Sequence, residues 1–191
     1  MADDCSVLFD FSNAADRAAW RVQNDTVMGG NSEGEMDAAG GALVFEGRLV
    51  TAGGGFVQVN ADLPEGALQN VREVRVTGRS EGRPWRLRME TDQRVPAREM
   101  RGGEEGEAPI GESGPDQDGP RVAFSVPLEG LGTDEAKTAT ADLSDPEASS
   151  RGRPVPGATW APGKAVNVAL ILSDGEDAPY RLEITKIEAC R

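Results

Sequence analysis

The chain has 191 residues, is 38% hydrophobic and carries a net charge of −13. That suits one domain with a real core, or one domain with a large insertion. The acidity argues against nucleic acid and anionic membrane surfaces as partners. There is no histidine, which excludes Ser-His-Asp and Cys-His nucleophile systems, and two cysteines cannot build a four-ligand structural zinc site.

The opening Met1-Ala2-Asp3-Asp4-Cys5 has neither the basic stretch nor the apolar run of a secretory signal, and no arginines of a transit peptide. No apolar run reaches the length of a membrane span, so a cytoplasmic location is expected. Val7, Phe9 and Phe11 alternate as a strand. Ser12 can then cap a short helical turn over residues 13–20. Trp20 and Val22 lead with strand spacing into a glycine turn, Asn24-Asp25-Thr26-Val27-Met28-Gly29-Gly30-Asn31-Ser32. Asn24 and Asp25 suit Asx turns, and Gly29-Gly30 can take positive φ.

Leu43 and Phe45 start a strand towards Leu49. After Gly53-Gly54-Gly55, residues 56–61 alternate again, and Val74 and Val76 follow. The cleanest strand is Trp85-Arg86-Leu87-Arg88-Met89-Glu90, with Trp85, Leu87 and Met89 inward and the charges on a wet face. Residues 92–121 break the rhythm with glycine, proline and carboxylates, a composition that predicts a long flexible acidic loop inside the domain. Val122, Phe124 and Val126 resume the alternation. Residues 146–162 lack periodicity and read as extended. Residues 166–172 are apolar on both faces and read as a central strand. Tyr180, Leu182 and Ile184 form the last strand, and the shift to Ile187 and Ala189 predicts a bulge near Thr185. Many short strands with almost no helix predict an all-β fold, a β-sandwich or jelly roll spanning residues 1–191 as one domain.

Cys5 and Cys190 allow two readings. They are free thiols in a reducing compartment, or a close pair on neighbouring terminal strands that a disulfide would join. Arg151 and Arg153, in Arg151-Gly152-Arg153-Pro154-Val155, suit a carboxylate or phosphate clamp, a solvated loop, or a buried pairing with Asp25. Asp116-Gln117-Asp118-Gly119 looks like a fragment of a calcium loop but lacks the remaining ligands. Glu90 and Asp92 share the wet face of their strand, which is weak support for glycosidase chemistry. No catalytic residue, metal site or cofactor is assigned, and the chain is not expected to be an enzyme.

One resemblance is specific. Trp20, Asn24-Asp25, Val27-Met28-Gly29-Gly30, Ser32, Phe45-Glu46-Gly47 and Gly54-Gly55-Phe56 follow in the order seen in the complex I intermediate-associated protein 30 family. Phe9-Asp10-Phe11, the 151–155 element and Tyr180-Arg181-Leu182-Glu183-Ile184 extend the likeness over nearly the whole chain except residues 92–121. The middle region departs from the family pattern, with Trp160 placed after the 151–155 element. The resemblance implies a galactose-binding-like β-sandwich. It also implies a non-catalytic protein-interaction module, assembly-factor or chaperone-like, for respiratory complex I or another membrane complex. Residues carried over as family markers are Asn24, Asp25, Met28, Gly29, Gly30, Ser32, Gly55, Phe56, Arg151 and Arg153. The alternative is a carbohydrate- or small-ligand-binding module, with Trp85 and Trp160 as candidate stacking rings, although alternation turns Trp85 inward.

Overall fold

A computed structural model describes residues 4–37, 40–95 and 119–191, without the side chains of Val27 and Met28. Thirteen strands appear in chain order: β1 (Cys5–Asp10), β2 (Arg21–Asn24), β3 (Glu33–Asp37), β4 (Leu43–Arg48), β5 (Val57–Asp62), β6 (Glu73–Ser80), β7 (Arg86–Arg94), β8 (Arg121–Pro127), β9 (Lys137–Asp142), β10 (Glu147–Ser150), β11 (Arg153–Pro154), β12 (Ala165–Leu172) and β13 (Pro179–Cys190). They form two antiparallel sheets. One has the order β3-β4-β13-β6-β9 with β1 also on β13, and the other is β11-β10-β8-β7-β12-β5-β2. Their inner faces meet in one hydrophobic core. The fold is an all-β jelly roll of the galactose-binding-like kind.

Alternation decides which side chains enter this core. On β7, Leu87 and Met89 are fully buried, while on β12 Val168, Leu170 and Leu172 point inward from the middle of the seven-stranded sheet. Side chains two apart share a face, so the residues between them floor the opposite side. The bulge on β13 falls between Ile184 and Lys186. It lets one strand pair with β4 through its first half and β1 through its second. At the end of that seam Cys5 and Cys190 face each other across the strands and are joined in a disulfide.

Several expectations need correction. Val7 does not share the inward face of Phe9 and Phe11: it is exposed, because the register of β1 shifts between Val7 and Phe9. The helix is a single turn, Ala14–Ala18, capped by Asn13, whose Oδ1 accepts from the Ala15 N–H at 2.9 Å. Ser12 instead donates to Asp10. The stretch read as a loop from residue 92 is still strand up to Arg94, which pairs with Arg121. Residues 96–118, with the calcium-like Asp116-Gln117-Asp118, lie outside the described residues. The 146–162 stretch holds the β10–β11 hairpin, with Ser150 opposite Arg153.

Candidate functional site

The glycine turn folds around one carboxylate. Asp25 opens a 3₁₀ turn after β2 and is fully buried. Its Oδ1 accepts from the Ser32 N–H at 3.0 Å, and its Oδ2 accepts from Ser32 Oγ and from the Gly55 N–H, both at 2.7 Å. Ser32 Oγ in turn accepts from the Val50 N–H at 3.0 Å. Gly29 closes the 3₁₀ turn at φ 87°. Gly30 and Gly54 are demanded by space: a Cβ on either would come within 2.2 to 2.7 Å of the Asp25 side chain. The motif therefore ties the β2–β3 turn to the β4–β5 loop around a buried anion. Burial pushes the Asp25 carboxyl up, but the hydrogen bonds from Ser32, Gly55 and Phe56 outweigh it and hold the pKa below the usual carboxylate value.

Neither Arg151 nor Arg153 contacts Asp25, so the buried pairing considered from the sequence does not form. The carboxylate is held by neutral donors instead. Arg151 takes the left-handed backbone conformation, with φ 48°. Arg153 is exposed on β11.

Against this knot lies a groove of about 1500 Å³ on the outer face of the seven-stranded sheet. Gly53, Gly54, Gly55 and Phe56 form part of its rim, and Arg151 lines the side of β10. Of the sequence-derived candidates, Gly55, Phe56 and Arg151 thus reach the groove. Asp25, Gly30 and Ser32 build what lies beside it. Asn24 has a buried Oδ1 without a hydrogen-bond partner among the described residues but does not line the groove. The Met28 side chain lies outside the described residues.

The floor comes from outward-facing residues of β5, β12, β7 and β8 in register, with Arg88 beside Ser125. One row further, Gln58 pairs with Ile171 and Ile171 with Arg86. Gln58 is only 5% exposed. Its Nε2 donates to Gln23 Oε1 at 2.9 Å, yet its own Oε1 has no partner among the described residues, and neither has Arg88 Nε. Arg86 donates to Glu147 at 2.5 Å, and Arg88 donates to Glu90 at 3.3 Å. Buried polar atoms are almost always paired in native proteins, and these two share their unpaired state with Asn24 Oδ1 and the indole Nε1 of Trp20, Trp85 and Trp160, which lie off the groove.

Sequence reasoning missed Gln58, Arg86, Arg88, Arg121 and Glu147 as site residues. The available signal was the wet face of 85–90, where two arginines and a glutamate recur at period two in a very acidic chain. Glu90 and Asp92 do not act as a carboxylate pair: Glu90 bonds Arg88, while Asp92 lies 3.5 Å from Lys164. Trp85 is buried and Trp160 packs on Phe124 with ring centroids 5.1 Å apart, so neither lines the groove.

The Asp25 knot gives the glycine-turn motif its physical meaning. This chain belongs to the complex I intermediate-associated protein 30 family, matched over residues 9–184. No curated protein sequence matches it. Among solved structures, the chain is similar in fold to the family 11 carbohydrate-binding module of the cellulase Lic26A-Cel5E of Clostridium thermocellum. The TM-score is 0.61 at 12% identity, covering 99% of this chain and 95% of that one. The same kind of module from Clostridium thermocellum, in complex with a β-1,3-1,4-mixed-linked tetrasaccharide, gives 0.57 at 12% identity over 97% and 94%. The agarase AgWH50C gives 0.51 at 10% identity, covering 98% of this chain and 24% of that one. At these identities the likeness is one of fold. Among the described residues no helix is long and apolar enough to cross a membrane.

Proposed function

We propose that this chain is a non-catalytic binding module that engages a protein partner through the groove on the seven-stranded sheet, in the assembly of respiratory complex I or another membrane complex. The observation that carries the reading is the groove itself, whose lining of Gln23, Gln58, Arg86, Arg88 and Arg121 presents polar and charged side chains on one sheet face. The family motif, by contrast, is closed around Asp25, whose carboxylate oxygens are taken up by Ser32 and Gly55. Family membership supplies the assembly context. The test is a photo-crosslinking residue placed at Ser149, which lines the groove, or at Thr138 on the other sheet, expressed in the native host. Adducts with subunits of one complex from Ser149 alone support the reading. Adducts from Thr138 alone, or none from either position, overturn it.

A carbohydrate-binding module is the second reading, favoured by the paired amides of Gln23 and Gln58, which line the groove together with Phe56. Sugar faces pack best on broad aromatic surfaces, and none of the three tryptophans lines the groove. Titration with a mixed-linked β-glucan oligosaccharide separates the two: saturable binding at the groove selects the second reading.

A further inference from the structure

The geometry points to an acidic protein segment, a run of aspartate or glutamate side chains, as the occupant of the groove. This rests on the groove being the protein-binding face. The whole chain carries −13, yet among the described residues the groove is lined by Arg86, Arg88, Arg94, Arg121 and Arg151 against Glu90 and Glu147. The outer face of the six-stranded sheet serves as an internal control. There Arg75 pairs with Glu73, Arg79 with Glu183, Arg181 with Glu46 and Lys186 with Glu188. That face balances its own charge. The groove does so only in part: Arg86 pairs with Glu147 and Arg88 with Glu90, but Arg151 has no carboxylate partner among the described residues, Arg121 acts on Asp62 through its charge without a close ion pair, and Arg94 donates to a backbone carbonyl, that of Gly119, at 2.7 Å.

Guanidinium forks match carboxylates bidentately, and such charge-assisted bonds are about twice as strong as neutral ones. A sugar acid could meet the arginines, but the groove gives a sugar ring only Phe56 to lie on. The acidic remainder of the surface repels any polyanion that is not seated in the groove, so the excess arginine confers selectivity for a segment in register rather than general polyanion affinity.

The test is fluorescence anisotropy with a labelled oligoglutamate peptide and its matched oligoglutamine peptide. The proteins are the full chain, the double variants R88Q/R121Q and R88K/R121K, and R79Q/R181Q on the opposite sheet. Each variant is first checked for an unchanged melting temperature. The glutamate peptide is expected to bind at least about tenfold tighter than the glutamine peptide, and R88Q/R121Q to lose about tenfold or more. R88K/R121K should fall between, because the charge stays while the fork is lost. R79Q/R181Q should match the unaltered chain. Equal binding of the two peptides, no binding of the glutamate peptide, or an equal loss from the opposite sheet overturns the proposal. Polygalacturonate binding tighter than the peptide overturns it in favour of an acidic glycan. If Ser149 crosslinks persist in the host while the glutamate peptide fails to bind, the acidic occupant is wrong and the groove remains the binding face.

Discussion

Two polar clusters lie side by side in this molecule and are built on opposite principles. Around Asp25, the buried carboxylate meets matched donors, and the glycines beside it leave no room for a ligand atom. Across the rim formed by Gly54 and Gly55, the groove keeps a buried acceptor and a buried donor unmatched. A closed cluster stabilises its fold and has nothing left to offer. An open one costs stability and becomes useful only when something completes it. The residues that mark the family in sequence belong mainly to the first kind, and the residues suited to binding belong mainly to the second.

Stability and binding measured on the same variants should separate the two clusters. The largest loss of stability is expected at the terminal seam, remote from the groove. Replacing Cys5 and Cys190 by serine opens a loop spanning 185 residues, about 5 kcal/mol in the chain-entropy limit, with groove binding unchanged. Urea unfolding with and without reductant measures it, and a non-reducing gel of protein taken from its host shows whether the bond exists there, since a reducing cytosol would keep both thiols free.

Asp25→Ala comes next. It orphans the Ser32 and Gly55 N–H groups and should cost about 4 kcal/mol. A folded, stable variant that has merely lost binding would mean that the turn is a ligand site and the contrast is false.

Acid should expose the same carboxylate. Its folded pKa lies below that of an ordinary aspartate, so its contribution is fully present above the unfolded-chain pKa and is lost as pH falls through the folded pKa. Thermal melts should therefore decline below about pH 4, and Asp25→Asn should flatten that slope.

The groove should behave in reverse. Gln58→Leu removes the orphaned acceptor and is expected to change stability by less than about 1 kcal/mol, or to raise it, while weakening peptide binding. A large destabilisation would show that the floor is structural. Smallest of all is Arg79→Ala on the self-paired face, about 0.5 kcal/mol by denaturant titration and without effect on binding.

Legibility in the sequence followed the same division. The strands carrying large apolar residues at period two, such as 85–90 and 122–126, could be read directly, and so could the bulge near Thr185, because burial imposes its period on the chain. β3 and β9, reading Glu-Gly-Glu-Met-Asp and Lys-Thr-Ala-Thr-Ala-Asp, were missed. Their inward residues are small or sparse, and their pairing with β4 and β6 comes from neighbours. The glycine turn was legible as a motif, since Gly29-Gly30 and Asp25 are unusual together. Its donors were not, because Gly55 and Val50 arrive from a loop far along the chain. The groove was least legible: Gln58, Arg88 and Arg121 are ordinary wet-face residues until three strands bring them to one floor.

What the sequence determined by itself was therefore the all-β class, the position of most core strands and the identity of the architectural motif, each written in local period or local turn chemistry. Tertiary structure alone decided that Asp25 is satisfied by neutral donors rather than by an arginine. It decided that Cys5 and Cys190 meet, and that five arginines converge in an acidic protein. The reason is one of range. Alternation and turn preference act between neighbours in the chain, whereas burial, pairing and convergence act between residues that only the sheet order makes adjacent.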